Sequence, residues 1–271
     1  MSTYENIFKA AQKGTVEDIK YFLETKGMDI NERNQNDLTP LHAATLGRNL
    51  EVAKFLVSKG ADVNAKDKGG CTPLAAAAYA DNLEVAKILI SNGADVNAKD
   101  LKDFTPLHVA VMPSNVEFAK FLISQKADVD AESEAGTPLH IAVKNGNAEL
   151  GKMLISAKAN INAKDKDGFT ALELAGRAGD AVLGKIIAVE HSDRGEVYYN
   201  EKKYDLAIKE FTEALRGLPK ATSIYGLRGC AYLDKRNFDL AIADFEAVLR
   251  INPDHDTAKN MLKTARQARG Y

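Results

Sequence analysis

Short apolar blocks recur along the first two thirds of the chain, and each follows a threonine-proline pair or a weaker copy of it. In the clearest block, Thr105 and Pro106 precede Leu107, and Ala110 follows on the same helical face. Threonine is a favourable N-cap, and proline fits the first helical turn because its missing N–H has no partner there. The pattern therefore predicts one helix in each block. The blocks begin at Thr39, Thr72, Thr105 and Thr137, with a weaker copy at Thr170.

A second apolar run follows each of these helices and predicts a partner helix. The four runs cover residues 50–57, 83–90, 116–123 and 148–155. Small alanines in the first helix allow the second helix to approach closely. Gly60 and Gly93 stand where a left-handed residue commonly ends a helix. Lys126 and Lys158 take that position in the next two blocks and should weaken those helix ends.

The blocks recur every 33 residues, except for an interval of 32 between Thr105 and Thr137. A period of this length is typical of a solenoid, in which each unit buries its apolar face against its neighbours. The sequence Thr105-Pro106-Leu107-His108 and the recurring Ala-Asp-Val-Asn phrase resemble the ankyrin repeat. This resemblance covers about residues 4–190 and implies helix pairs joined by short β-hairpin loops. We expect the missing residue to lie in a hairpin tip between residues 128 and 136, since loops tolerate deletions.

The period changes to 34 residues near residue 190. Identical residues recur at this offset in five places: Gly195 and Gly229, Tyr198 and Tyr232, Ala207 and Ala241, Phe211 and Phe245, Pro219 and Pro253. The order of these residue types resembles the tetratricopeptide repeat. The resemblance covers about residues 188–269 and includes a final helix, about 256–269, as a cap. His191 departs from it, because its counterpart Tyr225 stands where the family often has tryptophan.

Together these patterns predict an all-α fold, a helical repeat solenoid in which an ankyrin array precedes a tetratricopeptide helix-turn-helix array. We expect an ankyrin domain at residues 1–190, with about six repeats including the caps. A tetratricopeptide domain at residues 191–271 would contain two repeats and a C-terminal capping helix. Residues 181–200 contain no proline and no Ser/Gly-rich spacer, so we expect a short or helical junction there.

Composition excludes some classes of function and agrees with the predicted fold. Charged residues are 27% of the 271 residues and the net charge is −2, so no large single-sign field favours nucleic acid or a membrane surface. No run approaches the 18 apolar residues of a membrane helix, and the first residues lack the features of a signal peptide. Cys71 and Cys230 fall in different repeat systems, which indicates a reducing compartment. We expect a cytoplasmic protein that binds no nucleic acid and does not insert into membranes.

Catalytic chemistry is not expected. The chain contains no phosphate-binding glycine loop, nucleophile elbow, His-Glu-x-x-His motif or cysteine pair. His42, His108 and His140 recur with the repeat, and the resemblance implies that each forms hydrogen bonds within its Thr-Pro-Leu-His turn. His191 lacks Cys or Glu partners at ligand spacing. We therefore expect no enzyme activity, no metal, no cofactor and no small-molecule substrate. A reactive Cys71 thiol is the less favoured alternative.

Ankyrin-like arrays generally bind proteins on the hairpin tips and the outer part of the first helices. Leu46, Tyr79 and Met112 take the same first-helix position in successive repeats, with Leu38 and Phe104 beside them. Exposed apolar and aromatic side chains of this kind anchor protein interfaces, although packing between neighbouring hairpins is the alternative. The candidate partner-binding residues are Leu38, Leu46, Cys71, Tyr79, Leu101, Lys102, Phe104, Met112, Lys144, Phe169 and Arg177.

The resemblance to tetratricopeptide repeats implies a second groove along their first helices. Its candidate residues are Glu196, Tyr199, Asn200, Leu233 and Asp234. Family members that bind chaperone C-termini use Lys and Asn, whereas Ser192 and Glu196 occupy the matching positions here. An acidic groove would repel a carboxylate, so that ligand is not expected.

The sequence thus predicts a non-catalytic scaffold or adaptor that binds one or more protein or peptide partners on both concave surfaces. One alternative is a regulator or inhibitor of a specific enzyme. Another is a secreted, host-directed effector of an intracellular bacterium, since ankyrin arrays are common in such proteins.

Overall fold

The computed structural model describes residues 2–270, which form helices and contain no strand. The chain divides into two compact units between Phe169 and Thr170. The all-helical prediction is therefore confirmed. The predicted domain boundary at residue 190 differs from this division and stays a prediction.

Over residues 2–169, the first unit forms five helix pairs in chain order. Their helices are α1 (Ile7–Lys13), α2 (Val16–Lys20, continued by a π-helical turn, Tyr21–Thr25), α3 (Pro40–Leu46), α4 (Leu50–Ser58), α5 (Pro73–Tyr79), α6 (Leu83–Ser91), α7 (Pro106–Val111), α8 (Val116–Ser124), α9 (Pro138–Lys144) and α10 (Ala148–Ser156). Thr39 caps α3 by accepting a hydrogen bond from His42 N–H, and proline occupies the first turn as expected. The leucines that follow these prolines are at most 1% exposed and form the core between the pairs.

Hairpin loops join the helix pairs and are held by side-chain acceptors. Asp67 Oδ1 accepts hydrogen bonds from the N–H groups of Gly69 and Cys71, both at 2.8 Å. Asn34, Asp100 and Asp165 act in the same way in their own hairpins. Neighbouring hairpins are joined by single backbone hydrogen bonds, such as Leu101 N–H to the Gly69 carbonyl at 3.0 Å. This arrangement gives each hairpin a fixed position in the unit.

The shortened repeat ends in a tighter hairpin. Ser133 and Gly136 exchange backbone hydrogen bonds, whereas Asp67 pairs with Cys71, one residue further along. The missing residue therefore lies in the hairpin tip, as predicted. The expected left-handed residues after the second helices are also present. Gly60 and Lys126 both adopt left-handed conformations, with φ of 86° and 68°.

Over residues 170–270, the second unit forms six helices. They are α11 (Ala171–Ala178), α12 (Ala181–Asn200), α13 (Tyr204–Gly217), α14 (Thr222–Asp234), α15 (Phe238–Ile251) and α16 (Asp256–Arg269). Helix α12 is continuous over 20 residues, and the predicted junction is therefore helical. Its first half packs with α11, and its second half packs against α13.

Close helix contacts in this unit depend on the small residues of the 34-residue pattern. A Cβ at Gly195 would lie 2.6 Å from Phe211 Cε1, and one at Gly229 would lie 2.8 Å from Phe245 Cε1. Both phenylalanines are buried. The two helix pairs α12–α13 and α14–α15 thus share the same glycine-phenylalanine contact.

Candidate functional site

A ladder of imidazoles connects successive repeats of the first unit. His42 Nδ1 accepts a hydrogen bond from Thr39 N–H, and its Nε2 lies 3.1 Å from the Cys71 carbonyl oxygen of the next hairpin. Because Nδ1 is an acceptor, Nε2 carries the proton and donates it. His108 and His140 repeat this geometry towards the carbonyls of Gly136 and Phe169. The expected hydrogen bonds within the turn are confirmed, and the link to the next hairpin is an addition.

Burial keeps these imidazoles neutral. It lowers the pKa of His42 and His140 and brings the pKa of His108 to about 4. Each ring is at most 1% exposed. The histidines therefore act as neutral links between repeats near pH 7.

Seven of the predicted binding residues line one cavity of about 390 Å³ on the first unit. They are Leu38, Leu46, Cys71, Tyr79, Lys102, Phe104 and Met112. Tyr79 is 74% exposed and Met112 is 45% exposed, so these side chains are not covered by the neighbouring hairpins. We call this cavity the 38–112 groove. A second cavity of about 470 Å³ extends from Leu38 and Leu46 towards α1.

Four other predicted residues lie outside this groove. Leu101 is 77% exposed but does not line the cavity. The Lys144 amine lies 3.3 Å from Asp165 Oδ2 and donates to the Ala135 carbonyl. Phe169 is half-buried and its carbonyl accepts from His140, and Arg177 belongs to the second unit. Their role in binding stays a prediction.

Sequence reasoning missed the groove residues that carry no obvious interface chemistry. Asp67 and Asp100 line the cavity, and so does Ala75, which stands where other repeats have histidine. The break in the Thr-Pro-Leu-His motif at Ala75 was the available signal. Of these three residues, Ala75 distinguishes the groove from the repeats that keep the histidine.

Cys71 is unsuited to thiol chemistry. Burial, with a contribution from the Asp67 and Asp100 carboxylates, raises the pKa of its thiol to about 11. The thiolate, which is the nucleophilic form, is therefore scarce near pH 7. Cys71 lines the groove as a small apolar side chain.

In the second unit, two predicted residues bind each other. The Tyr199 hydroxyl donates to Asp234 Oδ2 at 2.8 Å, and burial together with this carboxylate raises the tyrosine pKa. Leu233 is half-buried, while Glu196 and Asn200 are exposed. The Tyr199–Asp234 bond joins α12 to α14 and fixes part of the predicted surface.

Buried pairs of polar side chains were the main feature that sequence reasoning missed. His191 is not isolated, because its Nδ1 lies 2.7 Å from Glu210 Oε2 in a pair with both side chains nearly excluded from solvent. Arg228 makes two hydrogen bonds to Asp244, at 2.8 and 2.9 Å. The 34-residue offset relates Glu210 to Asp244, and this was the signal that could have revealed a repeated buried acid.

Within residues 2–270, every helix is too short or too polar to cross a membrane. Over the same range, no three His, Cys, Asp or Glu side chains converge as a metal site would require.

Comparisons with known proteins agree with the repeat pattern. Residues 7–100, 68–133 and 107–192 each match the family model for ankyrin repeats, which contains three copies. Residues 222–255 match the model for the tetratricopeptide repeat. A search of curated proteins found no match. The ankyrin matches reach into α12, and the other match begins with the first residue of α14.

Proposed function

Because this chain belongs to the ankyrin repeat family and carries a tetratricopeptide repeat, we propose that it is a non-catalytic adaptor for protein partners. Both repeat types are generally protein–protein interaction modules. The proposed principal binding surface is the 38–112 groove. A second partner would use the α12–α14 surface around Tyr199 and Asp234.

The exposed apolar lining of the groove is the observation that supports this proposal. Tyr79 and Met112 project from α5 and the end of α7 with large exposed fractions, and Phe104 lies half-buried beside them. Aromatic and methionine side chains are enriched where proteins bind one another, because they bury a large area at small entropic cost. A contiguous set of this kind indicates a partner site rather than ordinary surface.

Preorganisation of the groove also supports the binding of a partner. The hairpins that frame the groove are held by the Asp67 and Asp100 acceptors and by hydrogen bonds between neighbouring loops. A surface that is already ordered loses little conformational entropy when a partner binds. The groove therefore needs only complementary chemistry from its partner.

A capture experiment with matched variants tests this proposal. The full chain, a Tyr79→Ala/Met112→Ala groove variant and a Val182→Ala/Leu240→Ala control would each serve as bait in a native lysate. Val182 and Leu240 are 59% and 44% exposed on helices of the second unit, so the control removes two exposed apolar side chains outside the groove. We expect a protein that the full chain and the control retain and the groove variant loses, with unchanged circular dichroism.

The opposite pattern would contradict the proposal. Equal capture by all three baits would move the binding surface away from the groove. Loss only from the control would assign it to the second unit.

A further inference from the structure

One rung of the imidazole ladder is missing at the groove. The carbonyls of Cys71 and Phe169 each accept two hydrogen bonds, one from their own hairpin and one from the histidine of the preceding repeat. Ala75 takes the place of that histidine before Phe104. Within residues 2–270, the Phe104 carbonyl accepts only the Asp100 N–H, at 3.0 Å. A carbonyl oxygen can accept two hydrogen bonds, so one acceptor position stays open beside the groove.

Two carboxylates in the groove lining can also accept further hydrogen bonds. Asp67 and Asp100 each use Oδ1 to hold two backbone N–H groups of their hairpins. Neither makes an ion pair with any residue in the described range, 2–270. Their second oxygens are available, because an ionised carboxylate has about four acceptor positions. The groove therefore combines apolar walls with acceptor oxygens that lack a donor.

The fifth repeat shows what such an acid binds when a cation is present. Lys144 on α9 occupies the position that Tyr79 holds on α5, and Asp165 is the counterpart of Asp100. The Lys144 amine lies 3.3 Å from Asp165 Oδ2 and donates to a backbone carbonyl at 2.9 Å. Leu46 and Tyr79 cannot supply this cation to Asp67 and Asp100. A partner side chain can supply it instead.

From this geometry we propose that the 38–112 groove binds a protein segment that presents a lysine or arginine next to an apolar residue. The cationic head lies between Asp67 and Asp100 and donates to the Phe104 carbonyl. The aliphatic stem and the neighbouring apolar side chain pack on Tyr79 and Met112. This inference rests on the proposed function and specifies the chemistry of its partner.

The other charges near the groove are compatible with a basic guest. Lys102 also lines the cavity, but its amine lies 3.8 Å from Glu134 Oε2, so its charge is partly balanced. His42 is neutral near pH 7, since burial lowers its pKa. Charge-assisted hydrogen bonds are stronger than neutral ones, and a groove with apolar walls strengthens them further. Exposed Tyr79 adds an aromatic face on which a cation can lie.

The test begins with a phage-displayed library of random 12-residue peptides, selected on the immobilised full chain. Selected peptides are synthesised, and their affinities are measured by fluorescence polarisation for the full chain and for an Asp67→Asn/Asp100→Asn variant. Asn34 shows that an amide oxygen can hold a hairpin of the same kind, since its Oδ1 accepts hydrogen bonds from the N–H groups of Asn36 and Leu38. The variant thus removes charge without removing the hairpin acceptor.

We expect the selected peptides to share a lysine or arginine beside an apolar residue. The Asp67→Asn/Asp100→Asn variant should bind them about tenfold more weakly, and replacing the basic residue by norleucine should abolish the difference between the two proteins. An Ala75→His variant, in which an imidazole would occupy the Phe104 carbonyl, should weaken binding to a similar extent. Its urea midpoint would show that the chain remains folded.

The outcomes separate this inference from the proposed function. One outcome would overturn the basic-residue inference and support the groove. In it, the Tyr79→Ala/Met112→Ala variant no longer binds the selected peptides, but the Asp67→Asn/Asp100→Asn variant binds them with unchanged affinity. The norleucine replacement also leaves their affinity unchanged. Peptides that bind all variants equally, or a selection that yields none, would overturn the basic-residue inference, and the capture experiment would still decide the proposed function.

Discussion

Buried imidazoles occur in both units, but they meet different partners. In the first unit, His42, His108 and His140 donate to backbone carbonyls of the next hairpin. In the second unit, His191 meets the Glu210 carboxylate. A backbone partner is present whatever the neighbouring side chain is, so each rung of the first ladder depends on one residue. A pair of side chains depends on two residues, and the loss of either removes this hydrogen bond from the other, which is buried.

The largest expected effect comes from breaking the buried pair Arg228–Asp244. Asp244→Ala should lower the free energy of unfolding by about 3 kcal/mol or more, because the Arg228 guanidinium, whose side chain is 17% exposed, would lose its counter-charge. Urea unfolding followed by circular dichroism measures this. Glu246→Ala on the same helix is the matched control, since its pair with Arg266 is exposed and should be worth about 1 kcal/mol at most. Equal losses would show that burial does not distinguish the pairs.

The neutral ladder should be sensitive to acid. A histidine in the unfolded chain titrates near pH 6.5, whereas His108 in the folded chain has a pKa of about 4. Between these values the unfolded state binds a proton that the folded state does not. The free energy of unfolding therefore falls as the pH drops below about 6.5, by roughly 2 kcal/mol at pH 5 for His108 alone. His42 and His140, whose pKa values are also lowered, act in the same direction.

Urea unfolding of the wild type and of His108→Ala at pH 7 and pH 5 measures this contribution. The free energy of unfolding of the variant should be lower than that of the wild type at pH 7, and this difference should be smaller at pH 5. A difference that is independent of pH would mean that His108 does not contribute through its neutral form.

A smaller effect is expected from completing the ladder. Ala75→His should raise the free energy of unfolding by about 1 kcal/mol, because the imidazole gains the Phe104 carbonyl as a partner. Calorimetric or urea unfolding at pH 7.5, where the ring is neutral, measures the gain. The opposite change at the equivalent position of the preceding repeat, His42→Ala, should lower the free energy of unfolding by at least the same amount. A loss of stability in Ala75→His would show that the groove cannot accept the ring.

The smallest effect concerns a second ladder of amide side chains on the first unit. Asn64 accepts a hydrogen bond from Asp95 N–H and donates to the Gly93 carbonyl, so it uses both ends of its amide. Asp130 takes the equivalent place and can only accept, as it does from Asn160 N–H. Asp130→Asn should therefore stabilise the chain by about 0.5 kcal/mol in urea unfolding. Asn64→Asp is the mirror variant and should lose a similar amount.

Local signals explain the parts of the fold that the sequence predicts well. Thr39 and Pro40 define the start of α3 within their own few residues, and the same signals recur in later repeats. The shortened hairpin at Ser133 was predictable because the period itself changes by one residue. These features depend on neighbours in the chain, so one sequence is enough to reveal them.

Features that depend on distant partners were harder to predict. The acid that meets His191 lies 19 residues away on another helix, and no local spacing identifies it. Lys144 was predicted as a partner-binding residue from its position, but its amine already meets Asp165. Ala75 matters through the side chain it lacks, and residue-by-residue chemistry gives no weight to an alanine. In the groove, Tyr79 and Met112 were predictable because their repeat position is normally exposed.

Helix α12 has a consequence for how the two repeat types can be separated or recombined. Each residue of an α-helix turns the chain by about 100°. One residue inserted between Ala188 and Gly195 would therefore rotate Gly195 away from Phe211 while α11 kept its own contact with the first half of the helix. The contacts that α12 makes in the two repeat types therefore depend on a fixed number of residues between them. Module exchange at this point is limited to cuts in the flanking loops, such as residues 201–203, where a change of length leaves that number unchanged.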